Sequence, residues 1–316
     1  MAKNTDLIAA SKAKKDEFYT QLTDIEKEVR YYWDHFRGKV VYCNCDDPTI
    51  SNFFQYFYMR YSKLGIKEII ATCYKNQNST MFSQNDKATA IGIRYNGTTL
   101  PEEFPLKGDG DFRSQECISL LREADIVVTN PPFSLFREYV TQLMKFQKKF
   151  LIIGNMNAAT TKAIFPLIQR NKIWYGASIK SGDREFGVPD HYPLTAATSR
   201  VDDDGNKFVR VKGVRWYTNL DHRKRHEDLD LFKRYLPEDY PKYDNYDAIE
   251  VSKTENIPED YAGEMGVPIS FIDKYNPDQF QIVGADTDFA GKLGRFYVKG
   301  KRKYARIVIR NKRLAK

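Results

Sequence analysis

Four cysteines and four histidines are few for a chain of 316 residues, and they are scattered. Cys43 and Cys45 stand two apart in a strand-like run, and Cys73 and Cys117 stand alone. A structural zinc site needs thiol or imidazole pairs at wider, repeated spacing. No metal site is therefore expected, and buried free thiols in a reducing compartment account for the four cysteines. Nor does any apolar run approach the roughly 18 residues needed to cross a bilayer. The first residues, MAKNTDLIAASKAKKDEF, lack the apolar centre of a secretory signal. A soluble intracellular protein with no membrane partner is expected. Acid is missing from one end: Gly291 to Lys316 holds eleven Lys and Arg and no Asp or Glu.

That last absence localises the charge. The whole chain carries +8, yet outside this tail 39 basic residues face 42 acidic ones, a net of −3. Basicity confined to one region points to a polyanion met by one surface. Hydrophobic residues make up 41% of the chain and aromatics 14%, enough for a large core.

Periodicity supplies the elements. Phe18, Leu22, Ile25, Val29, Tyr32 and Phe36 recur at helical spacing, closed by Gly38. KVVYCNC reads as a buried strand, and SNFFQYFYMRYSKLG as a helix starting near Ser51 and stopping at Gly65. IKEIIATCY is a second strand, and only a short strand near Ala90 to Tyr95 can be placed between Lys75 and Gly110. Helix SQECISLLREA, strand DIVVT, helix LFREYVTQLMKF, strand KFLIIGN, helix TTKAIFPLIQRNK and strand IWYG follow. This alternation predicts a mainly parallel sheet covered on both faces. GVRWYTNL is another strand, and the rhythm is lost beyond about Asp221, which sets a boundary between domains at 1–220 and 221–316. The tail alternates around Lys299-Gly300 like a β-hairpin.

Ligands of such sheets bind beyond the carboxyl ends of the strands, where strand order reverses. Three unusual sequences should meet there: CNCDDP, GDGDF and TNPPF. In the last, Asn130 offers its amide oxygen and Pro131 a carbonyl with no backbone donor on the same residue. Two rigid acceptors can hold both hydrogens of an –NH2 group, and Phe133 offers a flat face to a planar ring. An aromatic exocyclic amine fits, because holding its hydrogens out of plane frees the nitrogen lone pair. The acceptors also stabilise the positive charge that develops as the nitrogen attacks.

The chain resembles the EcoRI-type adenine-specific DNA methyltransferases. The resemblance rests on DEFYTQ, KVVYCNCDDPTISNFF, GDGDFRS, ADIVVTNPPFSLFREYV, KKFLIIGN, GVRWYTNLD, MGVPISFIDKYNPDQF and GKRKYARIVIRNK, in order from Asp16 to Lys312. It implies a Rossmann-like S-adenosylmethionine-dependent methyltransferase fold, with a smaller C-terminal DNA-recognition region ending in a basic hairpin. It implies methyl transfer from S-adenosylmethionine to the exocyclic amine of an adenine flipped out of double-stranded DNA, with Asn130, Pro131, Pro132 and Phe133 as the catalytic loop. The recognised sequence would be GAATTC, and the role protection of DNA from restriction. Phe18, Tyr19 and Thr20 would enclose the methionine end of the cofactor, with Asn130 also beside it. Cys45, Asp46 and Asp47 lie in the cofactor loop, Asp111 would accept from the cofactor's adenine amine, and Phe112 would cover its ring. The resemblance also implies a cytoplasmic protein, bacterial or phage-encoded, that works as a monomer.

Two features depart from the family pattern. CNCDDP has no glycine, and IIATCYKN ends the second strand without the acid that usually grips the ribose, so Asp46 or Asp47 is assigned that task. A flipped base would be received by Phe133 and by Trp216 or Tyr217, under a loop formed by Ser181 to Pro193. Arg223, Lys224, Arg225, Lys301, Arg302, Lys303, Arg306 and Arg310 are the expected phosphate contacts; if six of them act, log affinity falls with log salt at a slope near −5. The alternatives are a catalytically inactive DNA-binding protein of the same fold, and a methyltransferase of RNA bases.

Overall fold

The computed structural model describes residues 19–45, 51–74, 90–178, 183–188, 194 and 199–314. The chain divides into two compact units. The first comprises residues 1–158 and 176–220, and the second 159–175 and 221–316.

The first unit opens with a two-residue strand β1 (Tyr19–Thr20), then helices α1 (Leu22–Val29) and α2 (Trp33–Phe36). The single helix read from the spacing of Phe18 to Phe36 is thus a strand and two short helices. Strand β2 (Val40–Asn44), helix α3 (Asn52–Leu64), and strands β3 (Glu68–Thr72), β4 (Ile91–Tyr95) and β5 (Glu102–Pro105) follow. Helix α4 (Gln115–Glu123), strand β6 (Ile126–Thr129), helix α5 (Phe136–Lys145) and strand β7 (Lys149–Asn155) come next. The chain passes through α6 (Phe165–Gln169) and β8 (Trp174–Tyr175) of the second unit. It then returns as β9 (Asp183–Val188), β10 (Ser199–Val201), β11 (Lys207–Lys212) and β12 (Val214–Thr218).

Local chemistry places the helix ends as expected. The Ser51 hydroxyl accepts from the Phe53 amide at 3.2 Å, and α3 closes at Gly65. The Ser114 hydroxyl accepts from the Cys117 amide at 3.2 Å at the start of α4.

Within the first unit the main sheet runs β5-β4-β3-β2-β6-β7-β12. Its centre, β3-β2-β6-β7, is parallel, whereas β4, β5 and β12 join antiparallel. The sheet is therefore mixed where a mainly parallel one was expected. The antiparallel flanks come from returns such as the β4–β5 hairpin, whose Asn96-Gly97 signal lies outside the strand–helix alternation on which that expectation rests. Side chains alternate as a pleated sheet requires. Val41, Cys43, Ile69, Ala71, Ile126, Val128, Leu151, Ile153 and Trp216 pack in one core with α1 and α3 residues such as Ile25, Val29, Phe53 and Phe57. Their neighbours Tyr42, Ile70, Val127, Phe150, Ile152 and Tyr217 are also buried, and the Phe136 ring of α5 lies 4.8 Å from that of Tyr217. Both faces are covered. A second sheet, β1-β9-β11-β10, adds Phe186, Val188, Val209 and Val211 to the first core.

The second unit is built on a five-stranded sheet, β13 (Lys242–Tyr243), β14 (Tyr246–Glu250), β15 (Met265–Pro268), β19 (Arg306–Asn311) and β16 (Phe280–Ala285), in that order. Short helix α7 (Asp286–Phe289) follows β16, and β17 (Tyr297–Val298) pairs with β18 (Lys301–Arg302). The turn between them, Lys299 at φ 50° and Gly300 at φ 72°, has the left-handed pair that a two-residue hairpin needs. Asp244 holds it, accepting from the amides of Lys299 at 3.0 Å and Gly300 at 2.8 Å.

Residues 159–175 belong here, a departure from the expected 1–220 domain. Their ties are local: Gln169 donates to the Val283 carbonyl at 2.6 Å, and His222 Nε2 lies 3.0 Å from the Tyr175 carbonyl.

Candidate active site

Strand order reverses between β2 and β6: the chain runs from β2 outward to β5, then jumps back to β6 on the other side. Parallel pairing of Val41 with Ile126 and Tyr42 with Val127 brings Asn44 level with Thr129. The Thr129 hydroxyl donates to the Asn44 carbonyl, closing the two strand ends onto each other. CNC and TNPPF therefore meet at the switch point, where α/β sheets bind their ligands.

On the β6 side, Asn130 is 6% exposed and Pro131 is buried. The loop turns into α5 through the carbonyls of Pro132 and Phe133, which accept from the Leu135 amide at 3.0 Å and the Phe136 amide at 3.5 Å. Phe133 is partly buried against the first core, and its ring stands edge-on to Phe186 with centroids 6.5 Å apart. Phe186 lies on β9, which pairs with β1 through Thr20↔Phe186 and Tyr19↔Gly187. Asn52 at the start of α3 donates to the Thr20 carbonyl at 2.8 Å. The segment expected to be a loop over Ser181 to Pro193 is thus a strand at Asp183–Val188; its other residues lie outside those described.

On the β2 side, Cys45 follows the strand at φ 75°, a conformation that glycine adopts readily and other residues seldom do. Asn44 Oδ1 accepts from the Tyr139 hydroxyl of α5. Burial pushes the Tyr139 phenol well above its ordinary pKa, so it stays a donor. Thr72, at the end of β3, is fully buried against the Tyr42 hydroxyl at 2.7 Å and is no substitute for a ribose-binding acid. Phe18, Asp46 and Asp47 lie outside the described residues.

The GDGDF turn closes the third side. At Gly110, φ 76°, a Cβ would sit 1.9 Å from the Cys73 carbonyl, so only glycine lets this loop lie on the end of β3. The Asp111 carboxylate receives Arg113 Nε at 2.9 Å and Nη2 at 2.6 Å. The guanidinium holds that carboxyl below the usual carboxylate range, so it is an ionised acceptor with lone pairs to spare. Phe112 stands edge-on to Tyr139, centroids 5.0 Å apart, and its carbonyl accepts from Gln142 at 3.0 Å.

Several expected contacts are corrected by burial. Trp216 is 1% exposed within the first core, edge-on to Phe53 at 6.1 Å, and cannot receive a base. Tyr217 is fully buried, its hydroxyl donating to the Asn155 carbonyl at 2.8 Å. In the second unit, Arg225 stacks on Trp174, 3.7 Å from the ring centroid, and donates to Asn171 at 3.0 Å. Arg306 is 9% exposed and donates to both oxygens of buried Glu250, at 3.0 and 2.5 Å. Arg310 donates to Glu264 at 2.6 Å. Arg225 and Arg306 are held inside the unit rather than standing ready for phosphate, and Arg310, its side chain 42% exposed, is ion-paired. Arg223, Lys301 and Arg302 are exposed, with Lys224 and Lys303 half-buried.

Sequence reasoning missed Asn44, Thr129, Tyr139 and Glu28. Glu28, fully buried on α1, accepts from the amides of Ala177 and Ser178 and the Tyr32 hydroxyl, each at 2.7 Å. It anchors the chain where it re-enters the first unit toward β9. A carboxylate at a core position of an amphipathic helix was the available signal.

An open α/β sheet with an acceptor-rich Asn-Pro-Pro-Phe loop at its switch point is an arrangement suited to a group-transfer enzyme. The family model described as adenine-specific methyltransferase EcoRI matches residues 6–312. The chain belongs to that family. It is 50% identical over 326 residues to the Type II methyltransferase M.EcoRI of Escherichia coli, covering 100% of this chain and 99% of that one. It is 38% identical to M.MpnI of Mycoplasma pneumoniae, covering 96% and 97% of the two chains. Identity to M.MgeORF184P of Mycoplasma genitalium is 36%, covering 96% and 98%.

Proposed function

We propose that this adenine-specific methyltransferase methylates the exocyclic amine of an adenine flipped out of duplex DNA, at GAATTC, and so protects that DNA from restriction. The observation that supports this most directly is the hydrogen bond from Thr129 to the Asn44 carbonyl. It sets the Asn130-Pro131-Pro132-Phe133 loop directly across the switch point from the turn at Cys45.

The residues present fit S-adenosylmethionine. We assign Cys45, Asp111 and Phe112 to the cofactor, on the left-handed turn at Cys45 and the ionised acceptor at Asp111, and Tyr19, Thr20, Asn130, Phe18, Asp46 and Asp47 to the same pocket. When bound, the cofactor supplies a sulfonium methyl group whose bonding pair returns to sulfur on transfer. The chain's own part is to orient the acceptor. Asn130 Oδ1 and the Pro131 carbonyl take the two amine hydrogens, turning the nitrogen lone pair toward the methyl carbon. The nitrogen so oriented would take the methyl group as its bond to sulfur is given up, and the amine proton, acidic only after alkylation, would leave to water. Phe133 carries the base face, with Phe186 rather than Trp216 at its edge. The second unit contacts the phosphates through Arg223, Lys224, Lys301, Arg302 and Lys303. A cytoplasmic monomer suffices, since each strand is methylated separately.

Methyl-labelled S-adenosylmethionine and unmethylated duplex containing GAATTC test this reading. Label should appear on adenine of that duplex, and Asn130→Ala should lower the rate ~100-fold or more while the protein still binds DNA. Label found only on RNA or protein would overturn it; tight DNA binding with no cofactor binding would favour an inactive DNA-binding protein.

A further inference from the structure

The glycine-free turn after β2 poses a problem that the structure addresses. A nucleotide-binding turn needs the left-handed backbone that glycine adopts freely, and here Cys45 holds it at φ 75°. A side chain in that region costs on the order of 1 kcal/mol, so something must hold the turn. The Asn44 side chain, one residue earlier and 5% exposed, is gripped by the Tyr139 hydroxyl. The Asn44 carbonyl is gripped from the opposite strand by Thr129. Tyr139 is 1% exposed, and its ring packs edge-on against Phe112, the residue assigned to the cofactor's adenine. One phenol thus touches the turn at β2 and the GDGDF loop, and its helix begins directly after the catalytic loop.

We propose that Tyr139 is a positioning residue that holds the Cys45 turn in its left-handed conformation, replacing with a side-chain clamp what glycine supplies by lack of a Cβ. The proposal rests on the methyltransferase reading. It assigns Tyr139 and Asn44 to cofactor affinity, with no contact to the reacting atoms.

The test is calorimetric binding of S-adenosylmethionine to the full chain, with thermal melting to monitor folding. Tyr139→Phe should weaken binding roughly tenfold, the equivalent of one buried hydrogen bond lost. DNA affinity and kcat should stay within about threefold of wild type, while KM for the cofactor rises. Asn44→Ala cuts the same contact from the other side and should give a similar loss, and the double variant should be no worse than either alone. The deciding comparison places Tyr139→Phe in a Cys45→Gly background. Glycine needs no clamp, so there the phenol's removal should cost less than about threefold. An equal loss in both backgrounds, or no loss in either, would overturn the proposal. Wild-type protein that fails to bind S-adenosylmethionine at all would instead overturn the reading on which it rests.

Discussion

Arg306 shows how one residue type can serve two ends. In the sequence it is one of eleven basic residues in a tail without acids, and an arginine there reads as a phosphate contact. In the fold it begins β19 and forms a forked pair with Glu250, which is 4% exposed and also accepts from Tyr243. Removing one partner of a buried pair strands the other charge, so Arg306→Ala should destabilise the protein by about 3–5 kcal/mol. Chemical denaturation would measure it. Arg302→Ala, at an exposed position, should leave stability within about 0.5 kcal/mol and weaken DNA binding instead. If Arg306→Ala lost DNA affinity with no loss of stability, the structural role assigned to it would be wrong. Trp216 and Arg225 make the same point, since aromatic and cationic side chains are as useful inside a protein as on its binding face.

At the scale of elements, the turn Arg223–His226 carries two of the proposed phosphate contacts and is pinned by its last residue. His226 Nδ1 lies 2.7 Å from Asp278 and Nε2 2.9 Å from Asp221. Those carboxylates, Asp278 first, raise the imidazolium above its usual pKa of 6.5. A raised pKa means the folded state holds the proton more tightly than the unfolded chain. The contribution is therefore complete below about pH 6.5 and fades as pH rises through the elevated value. As pH rises above about 6.5, melting temperatures of wild type should fall relative to those of His226→Gln, whose own profile lacks this step. Parallel profiles would show that the bridge contributes nothing. Elements with strong periodicity and end signals, such as α3 between Ser51 and Gly65, were legible in sequence. The strand β9 was not, because Asp183–Val188 shows no clean alternation of apolar and polar residues, and its two partners, β1 and β11, are fixed by pairing across the fold rather than by a local turn signal.

For the whole molecule, salt dependence distinguishes the reading of composition from that of structure. Eight basic residues were candidates for phosphate; the guanidiniums of Arg225, Arg306 and Arg310 are drawn into contacts of the fold, while Lys303 keeps a looser one, its Nζ 3.7 Å from Glu250. If the other five, Arg223, Lys224, Lys301, Arg302 and Lys303, each neutralise a phosphate, log affinity should fall with log salt at a slope of about −4.5. A filter-binding titration over a range of salt concentrations would measure it. A slope near −7 would return Arg225, Arg306 and Arg310 to the interface, and a slope near zero would count against duplex DNA as substrate.

The family, and the chemistry proposed for the loop of residues 130–133, were legible in sequence alone, because Asn-Pro-Pro-Phe after a strand carries its acceptors and ring in consecutive residues. Local order suffices for such a motif. The partnership of that loop with the β2 turn was decided only by tertiary structure. The hydrogen bonds from Thr129 and Tyr139 to Asn44 span 85 and 95 residues. No local pattern records which buried tyrosine will face which buried amide. The same holds for burial: the sequence shows how many arginines and tryptophans the chain has, and packing decides which of them reach water.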